Sequence, residues 1–82
     1  MVRLMILEII TPEKKVFEGE VVSVQFPGTD GKFEVLNNHA PIITSLIKGD
    51  IRVIDNNNNN SKFPINGGVI EMQNNKIIVL AD

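Results

Sequence analysis

Val22, Val24 and Phe26 alternate with Val21, Ser23 and Gln25, and this period of two predicts a strand with one strongly buried face. Similar runs recur at Leu4 to Ile10, Phe33 to Leu36, Ile42 to Ile47, Ile51 to Ile54, Lys62 to Ile65, Val69 to Met72 and Ile77 to Leu80. Between them stand Pro12, Gly19, Gly28 to Gly31, Asn37-Asn38, Gly49, Asn56 to Asn60, Gly67-Gly68 and Asn74-Asn75. Glycine and asparagine tolerate positive φ, so these positions punctuate the chain with turns. Runs this short and this rich in β-branched residues leave no room for an amphipathic helix of about ten residues. The pattern predicts an all-β chain, a small antiparallel β-sandwich of about eight to ten short strands.

Composition narrows the picture. The 82 residues are 43% hydrophobic and 22% charged, which fits one globular domain spanning 1–82. A domain of this size buries only about 60–65% of the surface its unfolded chain exposes. There is no cysteine, so neither a disulfide framework nor a thiolate metal site supplements the small core. A net charge of −2 and the absence of Trp and Tyr provide neither a basic groove nor a stacking platform, which excludes nucleic acid as a partner. Met1 to Ile10 is apolar with a basic Arg3, but Glu8 interrupts it and Pro12-Glu13-Lys14-Lys15 occupies the place of a cleavage site. It reads as a strand, not a secretory signal. No run of about 18 apolar residues is present, so any membrane association is indirect, through other proteins.

Catalytic and metal chemistry find no support in the pattern. His39 is the only imidazole, and a nucleophile–base pair would have to use it. Ser23, Ser45 and Ser61 do not stand between glycines at a strand-to-helix turn. Asp30, Glu34 and His39 lack the spacing of a metal-ligand set and read as solvated turn residues. Gly28-Thr29-Asp30-Gly31 has no following Lys-Ser/Thr and opens onto a strand, so it reads as a plain turn, not a phosphate cradle. No cofactor is expected. Asn56 to Asn60 is a polar, low-complexity hairpin tip, for which a mobile loop is the default expectation.

Taken in order, Phe26-Pro27-Gly28-Thr29-Asp30-Gly31, Phe33-Glu34-Val35-Leu36, Asn37-Asn38-His39-Ala40-Pro41 and Leu46-Ile47-Lys48-Gly49-Asp50-Ile51-Arg52-Val53 resemble the amino-terminal β-sandwich domain of the F-type ATP synthase epsilon subunit. That family shows a Gly-x-x-Gly turn, a His-Ala-Pro corner and a Leu-x-x-Gly approach to the next strand. Val16-Phe17-Glu18-Gly19 resembles its early Phe-x-Gly turn, and Gly67-Gly68-Val69-Ile70-Glu71 its Gly-Gly start of a strand. Glu34 stands where the family often has Gly, and Asn37-Asn38 where it often has Pro-Gly. Val79-Leu80-Ala81-Asp82 resembles the point from which typical epsilon subunits continue into a two-helix domain, so the resemblance covers the first of two usual domains.

The resemblance implies a non-catalytic rotor subunit of a proton-transporting ATP synthase, bound to the gamma subunit and to the membrane ring of c subunits. It further implies a peripheral place on the cytoplasmic side of the bacterial inner membrane. Asp30, Lys32 and His39 are the candidates it suggests for the ring-facing end. His39 also has a purely local reading, its ring bonded to a neighbouring carbonyl beside Pro41. A gamma-facing surface should use apolar residues left on an outer strand face, but alternation does not say which of the two faces that is. The alternative class is a swinging-arm carrier of the biotinyl or lipoyl type with Lys48 at its hairpin; Lys48 lacks the Met or Asp flanks such a site uses.

Overall fold

The computed structural model describes residues 4–82; the first three residues of the apolar start lie outside them. Eight strands follow one another: β1 Met5–Ile10, β2 Lys15–Gly28, β3 Gly31–Leu36, β4 Ile42–Leu46, β5 Gly49–Asp55, β6 Asn60–Ile65, β7 Gly68–Gln73 and β8 Lys76–Ala81. No helix occurs among the described residues. Hydrogen bonds link all eight strands in the order β1-β8-β7-β4-β2-β5-β6, with β1 and β3 also paired to β2. The pairings form two layers. One contains β4, β7, β8, β1 and the first half of β2; the other contains β3, the second half of β2, β5 and β6.

The long strand β2 belongs to both layers and therefore has to turn a corner. Its register against β5 shifts between Val21 and Ser23, and such an extra residue bends a strand and lets it change sheets. This corrects the simple alternation. Val21, Val24 and Phe26 are completely buried while Val22 is only half-buried, because the irregularity reverses which parity points inward. The predicted turn at Gly19 is likewise absent. Gly19 lies inside β2 opposite Leu7, and a Cβ there would sit 3.3 Å from the Phe17 ring. The glycine leaves room for that ring along one strand face. A third departure is the β1–β8 pair, which is parallel; every other pair is antiparallel.

The layers enclose one apolar cluster, with Leu7, Ile70 and Val79 from the first and Phe26, Val53 and Ile65 from the second. Phe17 of the first layer meets Phe63 of the second at a ring-centroid distance of 5.1 Å, close enough for a specific aromatic contact. Turns follow the predicted chemistry. Asn74 and Asn75, both at positive φ, form the two-residue link between paired Gln73 and Lys76, which is the twist-matched hairpin geometry. Asn38 also takes positive φ, at 65°, so Asn replaces the family's glycine there without loss of the turn. The Asn56 to Asn59 tip is tied down by Asp55, whose carboxylate accepts from the Asn57 and Asn59 backbone N–H groups at 2.8 and 2.9 Å.

Candidate docking surfaces

Asp30 sits in the two-residue link between β2 and β3, where Gly28 pairs with Gly31. Lys32 follows on β3, opposite Pro27. His39 lies beyond the other end of β3, in the connection to β4. The structure therefore brings Asp30 and Lys32 together but separates both from His39 by the length of a six-residue strand, roughly 17–20 Å. Around Asp30 and Lys32 the neighbouring turn is Ile47-Lys48-Gly49, which shares a hollow with Thr29 and Lys32. Around His39 the neighbours are Asn74 and Asn75. The Asn38 N–H donates to the Asn75 Oδ1 at 2.9 Å and the Asn75 Nδ2 to the Asn37 Oδ1 at 2.7 Å, which fixes the corner. His39 Nδ1 bonds the Ala40 carbonyl at 2.7 Å, as its local reading expects. Among the described residues β3 pairs with β2 alone, so its other edge is free.

The two outer faces differ in chemistry. On the second layer Glu34, Gln25, Arg52 and Lys62 stand side by side across four strands. They line a hollow of about 220 Å³ with Ser23 and Ile54. Ser23, buried by the bend of β2, donates its hydroxyl to the Glu34 carboxylate at 2.7 Å. This face is polar.

The first layer has an outer face of another kind. Val69, Leu80 and Ile10 are directly adjacent across β7, β8 and β1. The next row holds Ile43, Glu71, Ile78 and Glu8. Ile43 is 72% exposed and Leu80 56%. Single exposed apolar residues mean little, but a contiguous set on one sheet face marks a docking surface. Charge is present and largely paired. Lys15 lies 3.0 Å from Glu18 and 3.9 Å from Glu8, and Lys76 lies 3.5 Å from Glu8. The hydrogen bond to Glu18 is the main reason the Lys15 ammonium is held above its usual range. Strand alternation predicts that such a surface exists; only the pairing order identifies which face gathers it.

Among the described residues no group of three or more His, Asp or Glu side chains is arranged to hold a metal, and no helix is long and apolar enough to cross a membrane.

Residues 4–82 match the family model described as ATP synthase, Delta/Epsilon chain, beta-sandwich domain. The chain is 41% identical over 76 residues to the ATP synthase epsilon chain of Chlorobium limicola, an alignment covering 93% of this chain and 86% of that protein. It is 46% identical to the epsilon chain of Pelotomaculum thermopropionicum, again over 93% of this chain but only 56% of the relative. Two solved structures share the fold. A chain of the Euglena gracilis mitochondrial ATP synthase superposes with a TM-score of 0.90 at 16% identity, over 95% of this chain and 50% of that one. A chain from the central stalk and c-ring of the Tetrahymena thermophila mitochondrial enzyme gives 0.78 at 14% identity, over 96% and 63%. With its strand order, its turn residues and its match over nearly every described position, the chain belongs to the β-sandwich domain family of the ATP synthase delta/epsilon chain.

Proposed function

We propose that this chain acts as a non-catalytic central-stalk rotor subunit of a proton-transporting F-type ATP synthase. It docks on the gamma subunit and on the ring of c subunits and turns with both. The observation that carries this reading is the apolar outer face of the first layer, which gathers Ile43, Val69, Ile78 and Leu80 around Glu71 and leaves Ile43, Val69 and Leu80 exposed among the described residues. That face is the gamma-docking surface. The ring-facing surface runs along the free edge of β3, with Asp30 and Lys32 at one end and His39 at the other. A closely packed sandwich is stiff, so it passes torque between two contact surfaces with little deformation. In the bacterial cell the chain is peripheral, on the cytoplasmic side of the plasma membrane, and reaches the membrane only through the complex.

The carrier alternative is not favoured. Lys48 sits in an exposed turn between β4 and β5, and that segment lies within the residues that match the delta/epsilon family. The rotor reading is tested by mixing the chain with a gamma-containing subcomplex and following size exclusion. Co-elution through an interface of roughly 1,200–2,000 Å² is expected. Separate elution at micromolar concentration overturns it.

A further inference from the structure

Glu71 occupies an unusual place on the apolar face. Its direct cross-strand neighbours are Ile43 on β4 and Ile78 on β8, so a carboxylate stands between two isoleucines in the middle of a row. Shallow hollows flank it, one lined by Pro41, Ile43 and Met72 and the other by Asn74, Lys76 and Ile78. Among the described residues Glu71 has no ion-pair partner. The strands of this face carry Glu8, Glu18, Glu20 and Glu71 against Lys15 and Lys76, and both lysines lie on Glu8 or Glu18. Covering the face would remove the water that now solvates Glu71, and a buried carboxylate without a cation is strongly disfavoured.

We infer that Glu71 is the polar anchor of this docking face and that the partner presents an arginine or lysine seated on it, within an otherwise apolar contact. The inference rests on the gamma-docking reading and adds the chemistry of the partner surface. A planar guanidinium fits especially well, since its faces stack on apolar neighbours while its edge binds the carboxylate. Uncovered, the same carboxylate keeps the apolar rows hydrated, so one residue serves solubility before docking and selectivity after it.

The test is titration of the gamma-containing subcomplex with the complete chain at two or more salt concentrations. Glu71→Gln should weaken binding by about tenfold or more, Glu71→Lys should weaken it further, and both should flatten the salt dependence. Thermal melting of the free variants should match the parent, because Glu71 is exposed. Ile43→Ala should weaken binding with the salt dependence intact, separating apolar from ionic contact. Parent-like affinity and salt dependence in Glu71→Lys would overturn the anchor while leaving gamma docking in place. Failure of the parent chain itself to bind would overturn the docking and the anchor together.

Discussion

Asp30 and His39 lie at opposite ends of β3. Any surface that touches both must therefore run the length of that strand instead of capping one end of the sandwich. The expected outcome is that single cysteines placed at 30 and at 39, in an otherwise unchanged chain, each cross-link to the polar loops of the c ring in the assembled enzyme. Cross-linking from one position only would confine the ring contact to that end of β3.

His39→Ala removes the bond between Nδ1 and the Ala40 carbonyl. An exposed hydrogen bond of this kind contributes at most about 1 kcal/mol. Urea unfolding should register a loss no larger than that. If the ring-facing role holds, retention of the subunit on the membrane complex should fall more than the stability change accounts for. Full retention and full pumping, with only the small loss of stability, would leave His39 a corner residue.

Two glycines at positive φ should respond differently to a side chain. Gly31, at φ +122°, has open space where a Cβ would go, whereas at Gly68, φ +152°, a Cβ would clash with the Leu80 carbonyl oxygen. Gly31→Ala should cost only the backbone strain, about 1–3 kcal/mol. Gly68→Ala should cost clearly more, since β7 and β8 must separate to admit the methyl group. Thermal denaturation of the two variants gives the order, and equal losses would show that the β7–β8 contact yields easily.

Phe26 is completely buried, with its ring 5.5 Å from that of Phe33. Truncating a buried phenylalanine costs about 3–5 kcal/mol, and a chain of this length is stabilised by only about 4–12 kcal/mol in all. Phe26→Ala should therefore remove at least about a quarter of the stability and lower the urea midpoint in proportion. Binding of gamma should recover part of the loss, because a partner that binds only the folded form adds to its stability.

The Asp55 carboxyl is held below its usual value of 3.8, chiefly by the Asn59 backbone N–H and then by that of Asn57. A depressed folded-state value means that the loop is stabilised above the unfolded pKa and loses this contribution as pH falls through the lower, folded value. In an acid titration the amide resonances of Asn57 and Asn59 should move together, with a midpoint below 3.8. Asp55→Ala should abolish that titration. A midpoint at or above the ordinary value would contradict the bonding.

The sequence by itself determined the strand content, nearly every turn and the family. Those features depend on local chemistry: β-branched residues at a period of two, and Gly or Asn where φ must be positive. The Asn74-Asn75 hairpin follows from a few consecutive residues, whereas the His39 corner is held by Asn75 from the other end of the chain. Tertiary structure decided what depends on residues distant along the chain. Gly19 looks like a turn, but pairing with Leu7 keeps it inside β2. Val22 looks like a core residue, but the register shift beside it turns the strand between layers. Likewise alternation divides each strand into two faces, yet only the order β4-β7-β8-β1 places Ile43, Glu71, Ile78 and Glu8 in one row. Surface chemistry arises from neighbours across strands, and no local signal in the chain specifies which strands become neighbours.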